Sequence, residues 1–317
     1  MARWLTQRVF FWSTRFGVGI GRLAARTLPR IWLFRLSDFI ANVGFCCFKG
    51  FRSRSIRNIA AVYGEQLNRA QVEDIARRSL RNFFRDCTEM AIALEMSEDE
   101  LRASIPLSGS EHLDAALEKG AGVLVLSAHL GNFFLIGTRL AIDGYAISVL
   151  VNQPRDSHLA MLMDKYRLEI RQKTIHAHPR REALRQLTDT LRRNELAVII
   201  SDEYRRGEGI EVPLFDRIVI ARRGPATIAL RTGAAMVPAY MIRRPDGMLN
   251  LIIEPELELD RSRKGAEQIR ENTIRITQWV ERTVHSYPDQ WNWMNIRWWK
   301  TIPESTLGAA ARVQQAS

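Results

Sequence analysis

Gly122-Val123-Leu124-Val125-Leu126-Ser127-Ala128-His129-Leu130-Gly131-Asn132 is the stretch whose reading decides the fold. Val123 to Ser127 is a continuous apolar run bounded by Gly122 on one side and polar residues on the other, which predicts a buried strand of a parallel sheet. Apolar character resumes from Phe133, and Asn132 is placed to cap the helix that follows. His129 therefore falls on a strand-to-helix turn. In open α/β sheets ligands bind outside the carboxyl ends of the strands, where such a turn lies. A lone histidine more often serves its own loop, so the rest of the chain must supply the argument for chemistry.

Outward from this stretch, strands and helices alternate. Strands are expected at Val123 to Ser127, Ala146 to Val151, Leu196 to Ser201, Met236 to Ile242 and Leu249 to Ile253. Helices are expected at Phe133 to Ala141, Ser157 to Ile170, Arg181 to Arg193, Pro225 to Thr232 and Ala266 to His285. The alternation implies an α/β fold with a mainly parallel central sheet covered by helices. Upstream, Asn68-Arg69-Ala70-Gln71 is a capping-box pattern opening a helix to about Ala93, with Val72, Ile75, Leu80, Phe83 and Phe84 on its buried side. Ser97-Glu98-Asp99-Glu100 opens a shorter helix, and neither is assigned chemistry.

The chain has 317 residues and a formal net charge of +11. Residues 1–58 hold ten arginines and Lys49 against one acid, Asp38, so nearly all the basicity belongs to one end. In that end Leu5, Val9, Trp12, Phe16, Ile20 and Leu23 recur at helical spacing, with Arg8, Arg15, Arg22, Arg26 and Arg30 on an adjoining stripe. Together with Trp4, Phe10 and Phe11 this reads as an amphipathic membrane-associating helix, its arginines reaching the phosphate level of a bilayer. The alternative is a stripe packed on the protein's own core, and Gly17, Gly19 and Gly21 argue against an unbroken helix. The uncharged run Phe39 to Phe48 is too short to span a hydrocarbon core, which takes about 20 residues. Charge confined to one terminus also argues against a nucleic-acid partner. Cys46, Cys47 and Cys87 have no metal-ligand spacing and suit a reducing compartment. The expected organisation is a basic, aromatic segment over 1–60, an α/β domain over 61–305 and a polar tail over 306–317.

A second buried strand ends in Asp202-Glu203, and if it lies near the first, an acid meets His129 on one rim. A histidine with a carboxylate on its second nitrogen is held in one tautomer and becomes a better base for a hydroxyl nucleophile. The alternative for Asp202 and Glu203 is capping, or pairing with Arg205 and Arg206. Arg222-Arg223-Gly224-Pro225 brings two guanidiniums to a helix start, an anion site or else a solvated basic turn, and Arg155 follows another strand end. There is no Gly-x-Ser-x-Gly elbow, no phosphate-cradling glycine loop and no zinc spacing. Histidine-assisted attack by an alcohol remains, which is acyl transfer.

Ser127-Ala128-His129-Leu130-Gly131-Asn132, Ser201-Asp202-Glu203, Val212-Pro213-Leu214-Phe215, Arg223-Gly224-Pro225-Ala226, Arg231-Thr232-Gly233-Ala234-Ala235-Met236-Val237-Pro238 and Pro288-Asp289-Gln290-Trp291-Asn292-Trp293 with Arg297-Trp298-Trp299-Lys300 carry a resemblance. In their order and spacing the chain resembles the bacterial lipid A biosynthesis (lauroyl and myristoyl) acyltransferases, within the lysophospholipid acyltransferase superfamily. The resemblance implies an enzyme on the cytoplasmic face of the inner membrane, peripheral or N-terminally anchored. It would move a fatty acyl group from acyl carrier protein or coenzyme A to a hydroxyl of a lipid A precursor or related glycolipid, with no metal and no cofactor beyond the donor. His129 is then the base and Glu203, ahead of Asp202, its orienting acid; Asn132 fixes the turn or binds the oxyanion; Phe134 lines the acyl trench; Arg155, Arg222 and Arg223 hold acidic groups. Two departures stand out. The family's acid five residues after the histidine is here Phe134, and its terminal histidine is here Asn295. The first leaves two readings, an acid supplied from the neighbouring strand end or a non-catalytic relative that binds lipid or acyl carrier protein at the membrane surface.

Overall fold

The computed structural model describes residues 2–154, 156–204, 209–294, 296 and 300–301, with residues 2–14 and 300–301 described by their backbone alone. Arg155, Arg205, Arg206, Asn295 and the tail from 306 lie outside the described residues.

Four helices lead the chain: α1 (Ala2–Thr27), α2 (Arg30–Cys47), α3 (Lys49–Tyr63) and α4 (Arg69–Ala93). α5 (Glu98–Ser104), strand β1 (Leu107–Ser108) and α6 (Ser110–Leu117) follow. The alternating region then runs β2 (Val123–Ser127), a 3₁₀ turn Phe133–Leu135 into α7 (Ile136–Ile142), β3 (Ile147–Val151), α8 (Ser157–Glu169), β4 (Lys173–His176), α9 (Arg180–Arg192) and β5 (Leu196–Ile200). The hairpin β6 (Ile210–Leu214) and β7 (Arg217–Ala221), α10 (Gly224–Thr232), β8 (Ala235–Arg243), β9 (Leu249–Ile253), α11 (Gly265–Ser286), a 3₁₀ turn Pro288–Gln290 and β10 (Lys300–Thr301) complete it.

Among the described residues seven strands form the main sheet in the order β1-β9-β8-β2-β5-β3-β4, parallel except for the β8–β9 pair. The five expected strands and five expected helices are all present. β2 is buried at every residue, as its unbroken apolar run requires, and its alternate side chains serve the two faces of the sheet. Leu124 and Leu126 join a core with Leu187, Ala229 and Trp279 from α9, α10 and α11, while Val123 and Val125 join Leu113, Ile136 and Leu140 from α6 and α7. Each such side chain, fully buried, contributes roughly 1.5–3 kcal/mol before chain entropy is charged against it.

The capping boxes at Asn68–Gln71 and Ser97–Glu100 both form. The glycines of α1 do not break it. A side chain at Gly21 would come within 3.2 Å of the Ala91 methyl, so glycine there lets α1 approach α4 closely. Two charges fix the approach: Arg22 pairs with Glu95 and, at 2.6 Å, with Glu169, and Arg26 pairs with the same Glu95. Arg22, part-buried, and Arg26, still largely exposed, thus share one acid of the fold, a pairing that the reading of both as lipid-facing did not include. The apolar stripe points the other way. Phe16, Ile20 and Leu23 are exposed, as are Ile31, Trp32 and Phe39 of α2, so the described part of the stripe does not pack on the core. No single helix among the described residues is long and apolar enough to cross a membrane; α2 and α3 pass by length and composition only as a pair bent by 88°.

Candidate active site

β2 and β5 pair in parallel with Ser127 opposite Ile200, and the Ser127 carbonyl accepts from both the backbone N–H and the hydroxyl of Ser201, at 2.8 and 2.9 Å. This register carries both chains past the sheet edge together and sets His129 beside Asp202. The His129 ring Nδ1 lies 2.8 Å from Asp202 Oδ1, and the His129 backbone N–H donates to Oδ2 at 2.9 Å. The indole N–H of Trp291 donates to the same Oδ2 at 2.7 Å. Burial pushes the Asp202 carboxyl up, but attraction to the His129 ring and these donors outweigh it and hold Asp202 below the usual carboxylate range. An ionised carboxylate only accepts, so Nδ1 carries the hydrogen and donates it, and the base position falls to Nε2.

The carboxylate on Nδ1 is thus that of Asp202, and the order of preference that put Glu203 first is reversed. Glu203, one residue on, accepts from the Asn152 amide at 2.7 Å and stands 4.0 Å from Arg222 Nε. The chain turns tightly at Glu203, where the Tyr204 N–H donates to the Asp202 carbonyl at 3.0 Å, and these neighbours serve different partners.

His129 opens onto a cavity of about 2160 Å³, well beyond the roughly 300–1,000 Å³ of an ordinary ligand pocket. Part of its wall is apolar, from Ile20 of α1, Leu33, Leu36 and Ile40 of α2, and Phe84 of α4. Phe133 and Phe134 stand beside the histidine, with the Phe133 ring edge-on to His129 at 5.0 Å and tilted by 33° against Phe134 at 4.1 Å between centroids. Elsewhere the wall is basic: Arg180, Arg222, Arg223, Arg231 and Arg270 line it, together with Glu203 and Asn152. Phe134, Arg222 and Arg223 therefore lie on the cavity wall.

Asn132 does not. Its side chain is fully buried and its amide donates to Glu89 of α4 at 2.8 Å, so it neither caps a helix nor lines the cavity; of the two roles read for it, it takes the turn-fixing one. Glu89 and Asp86 flank the buried Arg243 guanidinium at the end of β8, with Asp86 at 2.6 Å. α4, to which the sequence assigned no chemistry, thus braces the histidine turn. The visible signal was two acids, Asp86 and Glu89, one helical turn apart on a face otherwise destined for the core.

The terminal motif has a structural role of the same kind. Gly131 N–H donates to the Gln290 carbonyl at 2.9 Å, and Asn292 N–H to the His129 carbonyl at 3.0 Å. Gly131 has a φ of +55°, and a side chain there would sit 1.9 Å from the Met241 carbonyl oxygen, so only glycine fits. Trp291 and Trp293 pack edge-on at 4.8 Å, and Phe215, at the tip of the β6–β7 hairpin with φ +49°, stacks against both. A non-glycine residue in that conformation is strained, and burial of its aromatic ring offsets the cost. Among the described residues no group of three or more His, Cys, Asp or Glu is placed to hold a metal ion.

The family model for the bacterial lipid A biosynthesis acyltransferase matches residues 4–301. The chain belongs to that family. The acyltransferase is also similar to the phosphatidylinositol mannoside acyltransferase of Mycolicibacterium smegmatis, 23% identical over 291 residues that cover 90% of this chain and 91% of the relative. The protein of that name from Mycobacterium tuberculosis is 22% identical over 297 residues, covering 92% and 91%. The acyltransferase carries the family's histidine turn with Phe134 where the resemblance led us to expect an acid, and a buried carboxylate from the next strand of the sheet in contact with the ring.

Proposed function

We propose that this acyltransferase uses His129 as its general base, oriented by Asp202, to move a fatty acyl group from a thioester to a hydroxyl of a glycolipid at a membrane surface. The observation that carries the reading is the 2.8 Å contact of Asp202 with Nδ1 at the rim of a cavity whose wall is apolar beside the histidine and basic elsewhere. The acceptor hydroxyl gives its proton to Nε2 as its oxygen attacks the thioester carbonyl, forming the new C–O bond. The C–S bond then breaks, and the proton on Nε2 passes to the leaving thiolate. The apolar wall suits the acyl chain, and Arg222 and Arg223 suit phosphates of the donor arm or the acceptor headgroup.

Membrane placement is part of the proposal. Its support is the run of exposed Phe16, Ile20, Leu23, Ile31, Trp32 and Phe39 on two helices that also wall the cavity. On this reading the enzyme sits on the cytoplasmic face of the inner membrane, through its N-terminal helices. The acceptor is a lipid A precursor or another glycolipid; the similarity to phosphatidylinositol mannoside acyltransferases supports the second as well as the first. The donor is acyl carrier protein or coenzyme A. Asp202 also weighs against a non-catalytic relative, because it supplies the contact that Phe134 does not.

The test is transfer from labelled acyl carrier protein and acyl coenzyme A to a lipid A precursor and to phosphatidylinositol mannoside in detergent micelles. Product with any pair, lost in His129→Ala, is the expected result. Undiminished transfer by His129→Ala overturns the assignment of the base, and no product from any pair favours the non-catalytic alternative.

A further inference from the structure

Two consecutive residues behind His129, Gly131 and Asn132, are held by three bonds to three different elements. Gly131 N–H reaches the Gln290 carbonyl, Asn132 N–H reaches the Met241 carbonyl at 2.9 Å, and the Asn132 amide reaches Glu89 at 2.8 Å. Gln290 is itself locked to β8, accepting from Arg243 N–H at 2.7 Å and donating to the Arg243 carbonyl at 2.8 Å. The Arg243 side chain turns back between Glu89 and Asp86, both nearly fully buried. All these bonds lead to the end of β8, two of the three routes through Arg243 and one through Met241.

Asn132 is the unusual member. Its Oδ1 is buried without a hydrogen-bond partner, so the side chain accepts a desolvation cost of about 1–3 kcal/mol and makes one bond. Space-filling alone would be served with less cost by leucine or methionine. A charged pair buried for stability alone is likewise often replaceable by apolar residues at no loss. What the amide adds is a directional tie between a buried charge and the turn that ends in the imidazole.

We infer that Asn132, Glu89 and Arg243 form a positioning relay for the reaction, with the buried Glu89–Arg243 pair holding the His129 turn through Asn132 so that Nδ1 stays on Asp202. The inference rests on the reading of His129 as the base. Phe134 gives it a purpose. Without a carboxylate on the helix that follows the histidine, the dyad spans two strands and tolerates less movement of the turn.

The experiment compares the full-length wild type with Asn132→Ala, Asn132→Asp, the reciprocal pair Asn132→Asp with Glu89→Gln, and His129→Ala, all in the micelle assay. Asn132→Ala lowers kcat about tenfold or more, the equivalent of one coupling energy of about 1.4 kcal/mol, while KM for donor and acceptor stays within about twofold. Asn132→Asp sets two carboxylates together and loses more. Adding Glu89→Gln lets the new amide donate to the carboxylate at 132, at the cost of one bond from Arg243 Nη2, which keeps Asp86, and recovers activity above the Asn132→Asp level. Combining Asn132→Ala with Asp202→Asn costs less than the product of the two single losses, since both act on the same ring. A merely structural network predicts none of these: losses would follow the unfolding midpoint, and the double variant would be multiplicative. Wild-type kcat in Asn132→Ala, or no recovery in a reciprocal pair that melts like the wild type, overturns the inference. If the reciprocal pair fails to fold, the Asn132→Ala cycle decides alone. Full activity in His129→Ala instead overturns the base assignment, a result distinct from either.

Discussion

Replacing Asp202 by asparagine changes one atom and tests the centre of the site. Oδ2 accepts two N–H donors, from the His129 backbone at 2.9 Å and Trp291 at 2.7 Å, whereas Oδ1 accepts one, from Nδ1 at 2.8 Å. The asparagine carbonyl therefore takes the Oδ2 position, and its NH₂ group faces Nδ1. To avoid donor against donor the imidazole must accept at Nδ1, which moves its hydrogen to Nε2 and blocks the nitrogen proposed to act as base. The rate should fall on the order of 10⁴-fold, the size seen when an orienting acid in a histidine-based triad is made an amide. The fold loses far less: bonds to a charged acceptor at about 1.5–3 kcal/mol become neutral ones at about 0.5–1.5, so stability drops by roughly 1–3 kcal/mol. Single-turnover transfer of a labelled acyl group, run beside thermal unfolding of the same preparation, separates the two effects. A rate within tenfold of the wild type, in a preparation where His129→Ala is inactive, would refute the tautomer argument. Glu203→Gln is the control, since Glu203 meets Asn152 and Arg222; it should raise KM more than it lowers kcat.

Phe134→Glu restores the family's acid in sequence but places a charge in a wall made with Phe133 and Phe83, so transfer should fall relative to wild type; a gain in rate would contradict this. Gly131→Ala forces a methyl onto the Met241 carbonyl at a left-handed φ and should lower the unfolding midpoint and the activity together, so an unchanged midpoint counts against the described turn. Burial pushes the Asp86 carboxyl up to about 8 against the attraction of Arg243, with Glu89 adding to the rise. The folded protein then keeps a proton that the unfolded chain, with its ordinary value of 3.8, has lost; stability from this group is full below that value and declines as pH rises towards about 8. Urea midpoints should fall between pH 5.5 and 8.5, and Asp86→Asn should flatten the slope. Glu95→Gln removes the acid shared by Arg22 and Arg26; amide exchange across α1 should quicken while global stability changes by only about 0–1 kcal/mol per exposed pair.

The main sheet was legible because its strands are apolar runs with no competing pattern: Val123–Ser127 and Leu196–Ile200 fall within a residue of their expected bounds. β1 and β4 were missed because two or four residues carry no periodicity, and the β6–β7 hairpin because its tip is Phe215-Asp216, both at positive φ without a glycine to announce the turn. The stripe on α1 was read correctly as helical, but the partner of its charges was not foreseen, since Arg22 and Arg26 both meet Glu95, 73 and 69 residues away. Long-range pairings of that kind leave no mark on local spacing. The same limit applies to Trp291 and Arg243, whose sequence neighbourhoods look like ordinary aromatic and strand-end residues.

Asp202 and Glu203 show where a sequence stops and register begins. Either carboxylate could have reached the histidine, because adjacent residues past the end of β5 differ only in the face they turn to. What decides is the pairing of Ser127 with Ile200 and the two hydrogen bonds that Ser201 donates to the Ser127 carbonyl, which together place Asp202, two residues beyond the last strand residue, on the side of the imidazole. A slip of one residue between β2 and β5 would present Glu203 instead and turn every alternate core side chain to the wrong face. The hydrophobic alternation that separates Leu124 and Leu126 from Val123 and Val125 therefore also specifies the dyad. In a chain with the acid on the helix after the histidine, dyad geometry is local to one turn. Here it belongs to the sheet, and the bracing of that turn by Gln290, Met241 and Glu89 is what allows a contact made across two strands to stay at hydrogen-bond length.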